Sequence, residues 1–409
     1  MPGKEIPDGA ISQVAKHISE RNTKQYQIPP VGHPDNVETP QIFEIVPFHQ
    51  IDTSDRHFFA VDGSYNSQDF YNGLSIGIYT AGYICYHRGV QQRLNDSDDP
   101  VILGKAYFPE NILVANEDHI TAISDELLTL RPVQELFAFW GAAPDRVFAY
   151  TKEAVCSTLP TVLSFCQAVL EWAMVLEIAS LPIVGTGDFI LKDGTLRPLQ
   201  FRQEYLARLG RHLHQNGIVI AGVTKQSPIK MELSYTFKQV DIYLQDQLKH
   251  SYPFKETDPR RRKLCCWFEV PDAVLLSSYG PMYAKKATKG GRGFGLFHVA
   301  RLDYVEKLQN YDWVVVDVNI FDAIPGVDEG DLARDSHLLR AIFTELTRLT
   351  QEHYILGYPY PLAEAHNFVT LRSAFRDEII NRVKFALYRD QRMDHVDIEN
   401  LFLDVHDRF

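Results

Sequence analysis

The sequence predicts an α/β protein built on a mixed β-sheet that is flanked by helices. Two observations lead to this fold class. Two neighbouring apolar runs rich in β-branched and aromatic residues come first, and short apolar strands then alternate with helical patterns. With 409 residues, of which 45% are hydrophobic and 23% are charged, the chain is long enough to bury a large core.

The first apolar run, "HFFAVDGSYNS", predicts a buried strand over residues 58–61 that ends at Asp62. A second run, "GLSIGIYTAGYICYH" (73–87), follows after a short polar stretch. Consecutive apolar runs joined in this way predict an antiparallel hairpin.

The strongest helix pattern is "PTVLSFCQAVLEWAMVLEIASLP", which has a proline at each end. Pro160 suits a first helical position, and Ser157 or Thr158 suits the N-cap. A helix that is apolar nearly all round is expected to be buried. It nevertheless contains Glu171 and Glu177, and buried carboxylates are unfavourable unless they are paired or bound to metal.

A second short strand, over residues 189–191, is predicted to end at Asp193 in "LKDGT". A helix over 200–216 and a buried strand ending at Lys225 are expected to follow. The order of hairpin, helix, strand with a terminal aspartate, helix and strand is that of an RNase H-like core.

The domain organisation is predicted from the prolines and from a change in composition. A short helical pattern and a proline-rich stretch predict an N-terminal arm over residues 1–50, and residues 51–409 are expected to form the main domain. Residues 226–310 read as a mixed insertion in that domain.

The tripeptides after the two strands, "DGS" at Asp62 and "DGT" at Asp193, allow two interpretations. Asp-Gly followed by Ser or Thr is a good turn sequence. The alternative is a metal site, because aspartates at neighbouring strand ends, with a helix glutamate, would repel one another without divalent cations. Carboxylate ligands suit Mg²⁺ or Mn²⁺, and two such ions can clamp a phosphodiester.

Only one of the two helix glutamates is expected to join this cluster, because a separation of six residues turns their side chains to different faces. Glu171, in the middle of the helix, is favoured, and Glu177 is the alternative. In "GYPYPLAEAHNF", Tyr358 precedes a predicted helix that carries His366. His366 is either a surface histidine, a metal ligand, or a general acid that protonates the leaving oxygen.

Basic side chains in three places are candidate contacts for a phosphate backbone, although solvated lysine and arginine are the plain alternative. Lys225 ends a strand near the proposed site. A glycine-rich stretch with Phe294 resembles a loop that grips single strands, and its basic residues are Lys285, Lys286, Lys289 and Arg292. The other basic cluster reads as a solvated face: Arg260, Arg261, Arg262 and Lys263.

Composition excludes several classes of protein. No run of 18 apolar residues predicts a membrane span, and the N-terminus lacks the pattern of a signal peptide. Five cysteines without CxxC spacing fit a reducing cytoplasm. A net charge of −12 argues against a protein that coats itself in nucleic acid.

"AVDGS", the acidic buried helix, "DGTL", "IAGVTK" and "YPYPLAEAH" occur in the order seen in the NurA nuclease family, which the chain resembles over about residues 55–375. The resemblance implies a Mn²⁺-dependent 5′→3′ DNA nuclease that forms a homodimer and works on DNA ends with the hexameric HerA ATPase. It assigns the family's functional positions to Asp62, Asp193, Tyr358, His366 and one helix glutamate, Glu171 rather than Glu177.

Two other functions stay open on the sequence alone. One is a non-catalytic RNase H-like module that binds nucleic acid or a motor ATPase, and the other is an RNase H-like enzyme that acts on RNA. The C-terminal "IENLFLDVHDRF" from Ile398 is a candidate contact for a second chain or a motor, or it packs on its own core.

Overall fold

The computed structural model describes the part of the chain that contains the predicted core. The described residues are Lys16, 42–46, 54–70, 73–94, 103–107, 113–115, 127–149, 158–196, 201–234, 236–237, 239–240, 265–279, 296–302, 313–318, 336–351 and 357–403. The chain divides into two units, Met1–Thr39 and Pro40–Phe409, and every described residue except Lys16 belongs to the second. Lys289, Arg292 and the other basic residues over 260–263 and 285–286 lie outside the described residues.

One mixed sheet forms the centre of the second unit, which confirms the predicted RNase H-like α/β class. The described strands are β1 Ile42–Val46, β2 His57–Asp69, β3 Ser75–His87, β4 Val90–Gln92, β5 Lys105–Tyr107, β6 Leu113–Ala115, β7 Phe189–Asp193, β8 Val219–Thr224, β9 Cys265–Glu269, β10 Leu296–Arg301 and β11 Trp313–Val318. Nine of them follow one another in the order β1-β9-β10-β11-β8-β7-β2-β3-β4, and β5 and β6 also pair with β3. The pairs β2–β7 and β7–β8 are parallel, and the other pairs of these strands are antiparallel.

Helices cover both faces of this sheet. The described helices are α1 Arg131–Trp140, α2 Pro144–Val147, α3 Leu159–Ala179, α4 Gln203–Gln215, α5 Pro228–Glu232, α6 Asp272–Tyr279, α7 Ser336–Gln351, α8 Tyr360–Val369, α9 Ser373–Asp390 and α10 His395–Leu401. Apolar residues of α1, α3 and α4 pack on one face, and those of α7 and α8 pack on the other. The sheet therefore forms the middle layer of three.

The predicted buried helix is α3. The side chain of Thr158 accepts a hydrogen bond from the backbone N–H of Thr161, so Thr158 is the N-cap, and Pro160 lies in the first turn. This helix is long and apolar enough to cross a bilayer, but most of it is buried inside the protein. Its uniform apolarity is explained by packing against the sheet on one side and α1 on the other.

The first predicted strand boundary is wrong. Strand β2 continues past Asp62 to Asp69, and it pairs with β3 through thirteen successive residues, with Asp62 opposite Gly82. Asp62-Gly63 is therefore not a turn. The second tripeptide behaves as predicted, because β7 ends at Asp193 and Gly194 has a φ of 83°, which glycine adopts without strain.

Two later segments also attach to the core. Strands β9 and β10, which come from the region predicted as an insertion, pair within the main sheet between β1 and β11. Near the C-terminus, Ile398 and Phe402 are buried against Phe70, Ile76 and Ile380. The described part of this tail therefore packs on its own chain.

Gly63 has a packing reason to be glycine. A Cβ at this position would lie 2.5 Å from Cγ of Gln167 and 2.7 Å from Oε1 of Glu171, both on α3. The helix can lie this close to β2 only because residue 63 has no side chain. The same close approach brings the carboxylate of Glu171 to the strand that carries Asp62.

We predict that Gly63→Ala lowers the free energy of unfolding by about 1–3 kcal/mol, because an added methyl group overpacks the contact between β2 and α3. Urea denaturation measures the change. Gly185→Ala is the matched control, since its Cβ would meet only Oδ2 of Asp188 at 3.8 Å, and it should shift stability by less than about 0.5 kcal/mol. Equal effects of the two substitutions would contradict this explanation.

Candidate metal centre

The two predicted aspartates lie side by side because of the register of a parallel strand pair. In the β2–β7 ladder, Val61 is the partner of Lys192, so Asp62 and Asp193 follow at neighbouring positions. Alternation along β2 places Asp62 on the same face as Phe58 and Ala60, which pack with residues of α8. Asp62 is only 3% exposed, whereas Asp193 at the end of its strand is partly accessible.

Helix α8 adds His366 to this pair. Apolar residues of the helix are buried against the sheet face that carries Asp62, and His366 follows the buried Ala365. Its Nδ1 lies 2.9 Å from Oδ2 of Asp62, while its side chain is 61% exposed. One ligand atom from each of Asp62, Asp193 and His366 lies within 4.8 Å of the others. Two oxygens and one nitrogen therefore converge at a point that solvent can reach.

Tyr358 orients the second aspartate. Its hydroxyl donates a hydrogen bond of 2.7 Å to Oδ1 of Asp193, which also accepts from the backbone N–H of Gly194 at 3.0 Å. Burial of the ring and the negative charge of Asp193 raise the pKa of Tyr358 well above its ordinary value, so the hydroxyl keeps its proton. The tyrosine thus acts as a fixed donor that leaves the other carboxylate oxygen of Asp193 available.

Lys225 lies beside the same tyrosine. Its Nζ is 3.8 Å from the centroid of the Tyr358 ring, within the range of a cation–π interaction. The lysine itself is exposed. This contact holds a positive charge beside the tyrosine that donates to Asp193.

Glu171 approaches the cluster from the other face of the sheet. It is buried in the middle of α3, its Oε1 accepts a 2.7 Å hydrogen bond from Nε2 of Gln167, and its Oε2 lies 2.5 Å from Nζ of Lys192. The negative charge of Glu171 contributes to the raised pKa of Asp62. Its oxygens are not part of the ligand group formed by Asp62, Asp193 and His366.

Glu177, the alternative helix glutamate, has a different environment. Its Oε1 accepts hydrogen bonds from Tyr83 and Tyr107, each at 3.2 Å, and forms an ion pair with Lys105. These partners belong to β3 and β5. Of the two glutamates, Glu171 is therefore the one that lies beside Asp62 and Asp193.

Electrostatic repulsion is a property of this cluster. Burial raises the pKa of Asp62 to about 7, and the charges of Glu171 and Asp193 contribute further, while hydrogen bonds from His366 and the Gly63 N–H act in the opposite direction. A divalent cation would relieve this repulsion. The donor set of carboxylate oxygens and one imidazole nitrogen suits Mn²⁺, and the carboxylates also suit Mg²⁺.

Three residues of the centre were not predicted from the sequence: Gly63, Gln167 and Lys192. Lys192 had a detectable signal, because it shares a face with Ile190 in a buried strand and a buried ammonium group requires a partner. The identity of that partner depends on how α3 packs, which sequence periodicity does not provide.

The fold and the centre together define a class of protein. An RNase H-like sheet with adjacent aspartates on two parallel strands and a histidine beside them is an arrangement suited to nucleases that use divalent ions. A family model of the NurA domain matches residues 56–371, which is most of the chain. The chain therefore belongs to the NurA family of nucleases, whose members act on DNA and depend on metal. The match includes Asp62, Glu171, Asp193, Tyr358 and His366, and a search of curated proteins finds no match.

The raised pKa of Asp62 predicts a pH-dependent stability in the absence of metal. A group whose pKa rises on folding stabilises the fold below its ordinary pKa, and this contribution is lost as the pH rises through about 7. An asparagine side chain in its place cannot acquire the charge. We therefore expect Asp62→Asn to be more stable than the unsubstituted chain by about 1–3 kcal/mol at pH 8 in EDTA, with a much smaller difference at pH 4.5.

Urea denaturation at several pH values measures this difference. Asp69→Asn serves as the control, because Asp69 is an exposed residue at the far end of the same strand. Its effect on stability should not grow between pH 4.5 and pH 8. A destabilised Asp62→Asn chain at pH 8 would show that Asp62 is not under repulsion.

Proposed function

We propose that the chain is a metal-dependent DNA nuclease that hydrolyses phosphodiester bonds. The observation that carries this proposal is the group of ligand atoms from Asp62, Asp193 and His366 within 4.8 Å of one another. Membership of the NurA family supports the reaction class independently of the geometry. A non-catalytic binding module would have no need for buried carboxylates that repel one another.

We assign Asp62, Asp193 and His366 as ligands of Mn²⁺ or Mg²⁺. When bound, such an ion would polarise the phosphodiester and lower the pKa of the attacking water. We assign His366 as a ligand rather than as the general acid, because its Nδ1 belongs to the ligand group. From the sequence, three carboxylates in one centre predict two bound ions. In the structure, a second ion at Glu171 would have to displace a protein partner, because both oxygens of Glu171 have one.

The remaining residues would position the ligands and the substrate. Tyr358 would fix the orientation of Asp193 through its hydrogen bond, and Lys225 would contact a phosphate of the strand that enters the open side of the cluster. Lys289 and Arg292 stay candidate DNA contacts from the sequence. Glu171 would add negative charge behind the ligand group.

The substrate and the setting are proposed from the family. We expect 5′→3′ exonuclease activity on DNA ends, with single-strand endonuclease activity as a further form, in end resection during DNA repair or in anti-phage defence. The chain has no nucleotide-binding loop of the GxxxxGK(S/T) type, and its net charge is −12, so a HerA-like hexameric ATPase would hold it on DNA. We expect this assembly to be cytoplasmic and to contain a homodimer of the chain.

The nuclease proposal is tested with DNA strands labelled at the 5′ or the 3′ end, with and without Mn²⁺. We expect activity with Mn²⁺ or Mg²⁺, none in EDTA, and losses of at least about 100-fold in Asp62→Asn and Asp193→Asn, because each removes a ligand charge. Asp69→Asn should keep full activity. Substantial activity of Asp62→Asn would contradict its assignment as a ligand, and cleavage of RNA alone would favour the RNA-directed alternative.

The proposed assembly is tested by light scattering at micromolar concentration. A homodimer has twice the 46.8 kDa mass of the chain, and we expect that value. A mass equal to one chain would refute the dimer. Mixing with a HerA-like hexamer should shift the chain into a larger particle, and no shift would leave the nuclease to act alone.

A further inference from the structure

Lys192 is a buried lysine beside the metal centre. Its side chain is 7% exposed, its Nζ lies 2.5 Å from Oε2 of Glu171, and it donates a 2.8 Å hydrogen bond to the backbone carbonyl of Asp193. The same ammonium group lies 6.0 Å from the centroid of the Trp172 ring. All of these contacts are fixed by the sheet and by α3, so the positive charge has one well-defined position.

The two faces of the sheet divide the centre into two halves. Lys192 and Asp193 are consecutive in β7, so their side chains leave the strand on opposite sides. Asp193 joins Asp62 and His366 on the α8 side, and Lys192 joins Glu171 on the α3 side. The ligand group and the ion pair therefore lie on opposite faces of one sheet.

The charges of the two halves can be balanced by one divalent ion. The count applies without DNA and leaves out Lys225, which is exposed, so that water and salt screen its charge. If Asp62, Glu171 and Asp193 are all ionised, the ammonium group of Lys192 cancels one of the three negative charges. One divalent cation cancels the other two. A second cation would meet a centre that is already neutral.

Geometry leads to the same number. Both oxygens of Glu171 have protein partners, so a second ion at Glu171 would have to displace the amide of Gln167 or the ammonium group of Lys192. It would then lie close to a buried positive charge, which is unfavourable where water cannot screen it. Apart from the Glu171–Lys192 ion pair, the described ligand atoms of the centre form one group, that of Asp62, Asp193 and His366.

We propose that Lys192 supplies the fixed positive charge that a second metal ion would otherwise bring, so that the centre binds one divalent ion per chain. This inference rests on the proposed metal-dependent nuclease and concerns the ion count of its centre. Lys192 acts as a positioning residue: it holds Glu171 behind the ligands and contacts the backbone of Asp193.

The test counts Mn²⁺ bound to the full chain by electron paramagnetic resonance, which separates free from bound ion. The unsubstituted chain should saturate at one ion. Lys192→Met removes the charge but keeps the length of the side chain, and we expect it to bind a second ion because Glu171 then lacks a counter-charge. Lys105→Met is the matched control: it removes the lysine that pairs with Glu177 on the same helix, and its count should stay at one.

A second variant covers the case in which Lys192→Met fails to fold, because unpaired Glu171 would be left buried. Lys192→Gln removes the positive charge but keeps an amide donor for Glu171, and it should fold and bind two ions. One ion bound to this folded variant would overturn the inference. Circular dichroism verifies that each variant is folded.

The outcomes separate this inference from the proposed function. Two ions per unsubstituted chain, with DNA cleavage intact, would overturn the inference and leave the nuclease in place. A folded Lys192→Met chain that still binds one ion would also overturn it. One bound ion without DNA cleavage would support the ion count and refute the nuclease, and no bound ion would refute both.

Discussion

The parallel pairing of β2 with β7 is the constraint on which the rest of the centre depends. Its register puts Val61 opposite Lys192, and the aspartates that follow these two residues become neighbours. Because side chains alternate along a strand, a shift by one residue would send Asp62 to the α3 face and separate it from His366. The register is fixed from both sides, since β2 also pairs with β3 over thirteen residues and β7 pairs with β8. The large core is therefore what holds two repelling carboxylates together.

The structure offsets this repulsion with contacts that orient each carboxylate. Asp62 accepts from the Gly63 N–H and lies against His366, and Asp193 accepts from Tyr358 and the Gly194 N–H. These contacts do not neutralise the charge, because the pKa of Asp62 is still raised. A cation that binds only the folded chain would add stability in proportion to the logarithm of its concentration. Metal binding at this group would therefore be linked to folding through the same residues.

The sequence predicted the fold class and the aspartates, but local patterns failed where distant contacts decide. The tripeptides at Asp62 and Asp193 look alike, yet only the second ends its strand. At the first, the long ladder with β3 overrides the local turn preference. Glu171 and Glu177 have different partners, as their spacing of six residues on the helix predicts. A helix that is apolar nearly all round gives no hydrophobic stripe, so its rotation against the sheet, and with it the choice of glutamate, could not be read from periodicity.

Helix α3 contributes one glutamate to each of two ion pairs, and the two pairs differ in their exposure to solvent. The Glu177 pair is partly open to solvent and is shared with two tyrosines, whereas the Glu171 pair is almost fully buried. A buried ion pair is a weak source of stability, because removing both charges from water offsets much of their attraction. Stability alone therefore does not account for Lys192 and Glu171. Their location offers a better explanation, because the pair lies directly behind the ligand group. There, one positive and one negative charge on rigid elements contribute to the electrostatic field at Asp62 and Asp193.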